Sequence, residues 1–411
     1  MDLRRKLATL GRPAAAAPAE PAGSERESAL SKLRREMAEI LERPPTVAGP
    51  RPELRVDELP FSRVETESGP LYVRRERLAP SHHVGTIPVD AALAAKPELL
   101  SLLALDPSLA ETDVARALFL DTETTGLGGS GTIAFVVGLA LFEEGSLVIE
   151  QLLLRTPSEE RPLLEHVGRL VEGASLLVTF NGKAFDVPTL SGRFVLNRLP
   201  VPPPRPHLDL LHVARRIHRA RIRSCTLKSL ESEILGFVRD ADIDGGDVAP
   251  RYGHYLRTGD ESALVPVVEH NAWDVVSMAA LVGLYGEPLG TLHAEDLVGL
   301  SRTFRRARAL DRAEEAAELS VRRGAGAEGL RARGEIAKAR GDLRRALEDF
   351  EELARSVDDE RARLELAKLY EHWVKSPEQA LAVTALGTGE APVAHQKRRA
   401  RLEKKVRAGR R

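Results

Sequence analysis

A single cysteine, Cys225, stands among 411 residues, so no disulfide can close within the chain and no thiolate cluster can hold zinc. That usage predicts a reducing compartment, the cytoplasm. Aromatic residues are also few, at 4%, which leaves core packing to aliphatic side chains. Long apolar runs are missing: Thr132 to Phe142 falls far short of the ~18 residues a membrane span needs, so no membrane is expected as a partner. The charged start (Asp2, Arg4, Arg5, Lys6) is not followed by the apolar run of a signal peptide, and a secreted origin is not expected. An excess of one charge is absent as well. Lys plus Arg (60) nearly cancels Asp plus Glu (61), the net charge is -1, and any site for a polyanion must therefore be local.

What is present is the composition of a globular protein, 43% hydrophobic and 29% charged, at a length that predicts two folded domains with connecting sequence. Residues 1–52 are mostly Ala and Pro from Gly11 to Gly23 and proline-rich again from Arg43 to Pro52, which predicts a largely disordered arm. Within it, Ser28 to Leu41 has helical spacing at Leu30, Leu33, Met37, Ile40 and Leu41. Residues 53–115 read as an extension packed on the next domain, with a hairpin-like element near Gly69 to Leu78. Strands are predicted at Ala117–Asp121, Thr132–Phe142, Leu147–Leu154 and Leu176–Phe180, with a helix from Glu159 to Glu172 and helices thereafter. Residues 116–288 thus read as a mixed α/β domain.

From 289 to 395 strands vanish and Ala, Leu, Arg and Glu recur at helical spacing. The stretch ARGEIAKARGDLRRALEDFEELA, Ala332 to Ala354, resembles a tetratricopeptide repeat, and Ala313 and Ala380 lie about one ~34-residue period on either side of Ala346. An all-α domain of about three helical hairpins is predicted, with an unrelated helical bundle as the alternative. Residues 396–411 are strongly basic and are predicted to form a disordered tail able to touch nucleic acid or an acidic partner.

Three short stretches carry chemistry. In FLDTETTGL, Phe119 to Leu127, an apolar strand ends in Asp121 and Glu123, whose side chains share a face because they are two apart. Two such anions repel unless one is protonated or a hard cation such as magnesium or manganese sits between them. In TFNGKAFDVPTL, Thr179 to Leu190, Asp186 stands near a helix start beyond a strand end. In EHNAWDVVSMAAL, Glu269 to Leu281, His270 and Asp274 are four apart on a helix and share a face. Singly, these residues have ordinary readings as turn, cap and packing groups.

Taken in this order they resemble the three exonuclease motifs of the DEDD (DnaQ-like) superfamily. Together with HLDLLHVARR from His207, SCTLKSLESEILG from Ser224 and GDESALVPVVEHNAWDVVS from Gly259, they resemble the YprB-like branch of ribonuclease H-like proteins over residues 55 to 285. The resemblance implies a ribonuclease H-like, mixed five-stranded α/β sheet with flanking helices. It implies that Asp121, Glu123, Asp186 and Asp274 bind two divalent ions, Mg2+ or Mn2+, and that His270 activates the attacking water. His270 has the spacing usual for the Tyr-type families, which turns it by about 100° from the usual His position.

The activity so implied is 3′-to-5′ exonuclease hydrolysis of single-stranded DNA or RNA. Thr122, Thr124, Thr125, Gly126 and Leu127 would contact the terminal nucleotide, with Asn181 and Phe185 flanking its sugar or base. A simple flexible turn at Gly126, Gly128 and Gly129 and a core role for Phe185 are the plainer readings. Arg215, Arg216, Arg219, Arg221 and Arg223 are candidates for phosphate contact, or for an ordinary solvated face. An alternative function is an adaptor that binds nucleic acid and recruits a protein partner through the helical repeats.

Overall fold

The computed structural model describes residues 59–126, 131–240, 242–286, 290 and 292–409. The predicted arm, its helix-spaced segment and the loop residues Leu127, Gly128 and Gly129 lie outside them. Strand-forming runs dominate the first part of the described chain. β1 (Ser62–Thr66) and β2 (Gly69–Arg77) form the hairpin expected near Gly69, β3 (His83–Val84) and β4 (Ile87–Pro88) a small separate ribbon, and α1 (Pro97–Ala104) follows. β5 (Ala117–Thr124), β6 (Ala134–Glu143) and β7 (Ser146–Leu153) make an antiparallel meander. α2 (Glu160–Gly173) then crosses to β8 (Leu176–Thr179), and α3 (Asp186–Leu196) to β9 (His207–Asp209).

The sheet order is β1-β2-β7-β6-β5-β8-β9, with β8 parallel to both β5 and β9 and the remaining pairs antiparallel. It is a mixed sheet with flanking helices, as expected, but with seven strands rather than five. The extra pair is the β1–β2 hairpin, which adds to the free edge of β7 through Tyr72–Arg77. An exposed strand edge is a run of unpaired backbone donors and acceptors, and the extension covers it.

Helices α4 (Leu210–His218), α5 (Leu227–Leu230), α6 (Gly245–Thr258) and α7 (Val265–Gly286) complete this part. Alternation along β5 sorts its residues between two cores. Ala117 and Phe119 face a cluster containing Val275, Met278 and Leu281 of α7, whereas Leu118 and Leu120 face one containing Leu163, Val167 and Tyr252. Asp121 and Glu123 continue the Phe119 row, so strand period alone aims both acids toward α7.

Beyond it the described residues form seven α-helices: α8 (Ala294–Arg306), α9 (Leu310–Arg322), α10 (Gly326–Arg340), α11 (Leu343–Ser356), α12 (Glu360–Leu369), α13 (Pro377–Ala385) and α14 (Pro392–Gly409). Ala313, Ala346 and Ala380, the three residues one period apart, are fully buried. The basic end is not irregular as predicted. It is the body of α14, because Arg398, Arg401 and Lys405 converge on the buried Glu371 and Leu402 is fully buried. The charges that suggested a solvated tail are partly used inside the fold. Among the described residues no helix is long and apolar enough to cross a membrane.

Candidate active site

β5 lies between β6 and β8, and its ladder with β6 shifts register at Glu123/Thr124, immediately after the two acids. Bulges of this kind end regular pairing and re-aim side chains. Asp121 is half-buried and Glu123 buried. Asp186, also buried, begins α3 at the far side of the parallel β8, and the Thr122 hydroxyl donates to its Oδ1. Asp274 and His270 come from α7, one turn apart.

The loop that delivers Asp186 is fixed from below. Asp209 accepts from the backbone N–H of Asn181 (2.9 Å), Lys183 (3.1 Å) and Leu211 (3.1 Å). Asn181 takes a left-handed backbone (φ 68°), which asparagine tolerates better than most residues. Gly182 presses on Thr179 so closely that a Cβ would sit 2.5 Å from that side chain.

The acids sense one another. Burial raises the Asp121 carboxyl well above its ordinary value, and the charges of Asp274, Asp186 and Glu123 raise it further against the donor Asn271. Burial and then Asp274 push Glu123 to about 8, against the opposing pull of His270 and Arg239. Asp186 is pushed up to about 6 by burial, which its bonds to Thr122 only partly offset. Desolvation and like charge both disfavour the ionised form, and the sign of every net shift here is that of a cluster short of positive charge.

Short-range partners hold the same oxygens apart. Asn271 donates to Asp121 Oδ2 (2.8 Å), Arg239 donates to Asp274 Oδ1 (2.5 Å), and Thr122 engages Asp186. In this arrangement, among the described residues, no three His, Cys, Asp or Glu side chains stand as a ready-made metal cage. Four buried or half-buried carboxylates, of which Asp121, Glu123 and Asp186 have raised pKa values, are nonetheless a donor set suited to a hard divalent cation. Charge sets what the pocket would accept, and hydrogen bonds set where its oxygens now point.

Several supporting residues have no signature in the sequence. Arg239 is buried; it pairs with the buried Glu231 (2.5 Å), donates to Asp274, and reaches the His270 carbonyl (3.3 Å). Asp242 takes His270 Nδ1 at 2.6 Å, so that nitrogen carries the proton and Nε2, 3.8 Å from Asp274 Oδ2, is left toward the acids. Burial lowers the His270 pKa, but Asp274, Asp242 and Glu123 outweigh it and the net shift is upward. A second relay supports Asp121: Arg74 of β2 donates to Gln151 (2.6 Å), Gln151 donates to Asn271 (2.9 Å), and Asn271 holds Asp121. The N-terminal hairpin is thereby tied to the central acid.

The other predicted contacts divide. Thr122 is buried and used by Asp186, so its hydroxyl is turned inward rather than toward a substrate. The Thr124 hydroxyl closes the turn onto the Gly126 carbonyl (2.7 Å), and Leu127 is outside the described residues. Asn181 is exposed and Phe185 half-buried. The arginines do not form one patch: Arg216 donates to the Leu103 carbonyl (3.0 Å) and Arg221 pairs with Asp296 (2.8 Å), whereas Arg215, Arg219 and Arg223 are exposed.

A family model described as the RNase_H superfamily matches residues 118–285, the span from β5 to α7 that contains all four acids. The chain is also 32% identical over 302 residues to the protein named "Uncharacterized protein YprB" of Bacillus subtilis (strain 168), across 70% of this chain and 73% of that one.

Proposed function

The chain belongs to the RNase_H superfamily, and from that premise we propose that it is a metal-dependent 3′-to-5′ exonuclease acting on single-stranded nucleic acid. One observation supports the reading: Asp121, Glu123, Asp186 and Asp274, drawn from three separate stretches, lie close enough that the charges of Asp274 and Asp186 raise the carboxyls of Asp121 and Glu123. A structural role does not require four carboxylates gathered around a single cation, Arg239, which is itself shared with Glu231, and a site for divalent cations does.

Asp121, Glu123, Asp186 and Asp274 would hold the divalent ions. Such ions, when bound, supply neutralisation of the phosphate charge and a more acidic water. The protein's own groups do the rest. Asp242 keeps the His270 proton on Nδ1, leaving Nε2 free to accept a proton from the attacking water. Asn271 and Thr122 orient Asp121 and Asp186, and Arg239 aligns Asp274 with His270. In this reading Asn181 and Phe185 flank the last nucleotide and Arg215 and Arg219 meet phosphates, which their exposure, partial for Phe185, permits.

The test is a single strand labelled at its 5′ end, incubated with Mg2+ or Mn2+. It should shorten stepwise from the 3′ end, and both Asp121→Asn and Asp274→Asn should fall to background. Undiminished shortening by both variants would overturn the assignment, and cutting of a circular single strand would replace it with an endonuclease. Matched DNA and RNA oligonucleotides define the sugar preference.

A further inference from the structure

The basic side chains of α14 fall into two sets. Arg398, Arg401 and Lys405 turn onto Glu371, Arg398 also takes Glu390, and Arg399 pairs with Glu403 one turn on. Lys397, Lys404 and Arg407 are exposed and have no ion-pair partner among the described residues. At 3.6 residues per turn these three fall within a sector of about 80°, and at 1.5 Å per residue they extend over about 15 Å of the helix axis. Glu403 is the one acid of this helix, although the whole chain carries a net charge of -1. Positive charge has been gathered on one outward ridge, and the inward face has its own anions.

We propose that α14 is a phosphate-binding rib that holds a nucleic-acid strand outside the acidic pocket, through Lys397, Lys404 and Arg407. The proposal rests on the nuclease reading. A linear row of cations matches a linear row of phosphates, and such contacts fix position without reading sequence. A lipid surface fits less well, because an interfacial helix turns an apolar face outward. Here Leu402 is buried against the protein, the ridge between the cations is lined by Ala400, and a single exposed apolar residue, Val393 at the start of the helix, is too little for an interfacial face. Arg398, Arg401 and Lys405 tie the helix to Glu371, which leaves Lys397, Lys404 and Arg407 to face a ligand.

The experiment uses the full chain carrying Asp121→Asn, which leaves the oligonucleotide intact. Binding of a fluorescent 30-nucleotide single strand is followed by anisotropy between 50 and 200 mM salt, with and without Lys397→Ala/Lys404→Ala/Arg407→Ala. Each phosphate contact on a single strand contributes about 0.7 to the slope of log affinity against log salt, so the triple variant should lose a slope of about 2. The parent should then weaken about 20-fold more than the triple variant across that range. Lys397→Arg/Lys404→Arg/Arg407→Lys, which keeps the charge, should bind like the parent, and unchanged amide protection of α14 shows that the helix is still docked on Glu371.

Equal slopes for parent and triple variant would overturn the rib. So would a polyglutamate peptide that binds through these residues where the oligonucleotide does not, which would make the partner an acidic protein. Cleavage is scored separately on the chain with Asp121 intact. Loss of the nuclease reading appears as no shortening, whereas loss of the rib appears as an unchanged salt slope.

Discussion

Gly138 controls the site through what it lacks. It stands opposite Asp121 in the β5–β6 ladder, and a Cβ there would lie 2.2 Å from Asn271 Oδ1. Gly138→Ala should therefore displace Asn271, free Asp121 from its donor and weaken Mn2+ binding by about 10–100-fold, the usual cost of losing a residue that orients a ligand. Calorimetry on Gly138→Ala and Asn271→Ala should give similar losses; full affinity in both would dissolve the link. A pH profile tests the histidine. Asp242 helps to raise the His270 pKa, so Asp242→Asn should lower it, making the neutral base available at lower pH and moving the acid limb of kcat/KM downward. An unmoved limb would mean that His270 is not the base. The acids and His270 could be picked from the sequence because each lies inside a local motif. Arg239, Asp242 and Gly138 could not, because their roles exist only after loops and strand register bring distant residues together.

At the scale of elements, strands were the easiest part to read. Ala117–Asp121 and Leu176–Phe180 were expected within a few residues of β5 and β8, since buried apolar runs bounded by polar residues have few other conformations. Pairing was harder. Nothing local in Gly69–Arg77 says that it will extend the edge of β7, and the sheet was accordingly expected to be two strands narrower. α14 departs from the predicted tail for a related reason: a basic stretch has the composition of a solvated segment until its anion, Glu371, arrives from some 30 residues earlier. Burial raises the Glu371 carboxyl, but Arg401 and Lys405 outweigh this and hold it at about 2. A lowered folded-state pKa means stability that is present above the ordinary carboxylate range and lost as pH falls toward 2. Glu371→Gln should cost about 2–4 kcal/mol, less than a fully buried pair because Arg401 and Lys405 are half-exposed. Hydrogen exchange should then speed up along α14 and leave β5 unaffected; unchanged protection of α14 would show that apolar packing around Leu402 suffices.

At the scale of the molecule, the predicted boundary at 288/289 does not coincide with the end of a core. One buried cluster includes Leu281 and Tyr285 of α7, Ile217 of α4, Leu297, Leu300 and Phe304 of α8, and Ala313 and Ala317 of α9. Gly299 lets the α8 backbone approach α4 so closely that a Cβ would lie 2.4 Å from the Ile217 carbonyl. Polar groups are sealed into the same junction: His218 Nε2 lies 3.1 Å from the Tyr285 hydroxyl and its Nδ1 3.0 Å from Asp296, which also holds Arg221. The farther helices have a cluster of their own around Phe350, Leu366 and Leu402. The first two helices of the C-terminal part therefore act as a lid on the sheet domain. Burying Leu297, Leu300 and Phe304 contributes about 1.5–3 kcal/mol each, a sum comparable with the ~5–15 kcal/mol by which a whole domain is stable. A chain ended at residue 288 should accordingly be aggregated or lack a cooperative melt, whereas one ended at Gly324, which keeps α8 and α9, should melt cooperatively and retain Mn2+ binding. A 288-residue chain that melts sharply at the temperature of the full protein would show that the sheet domain needs no lid.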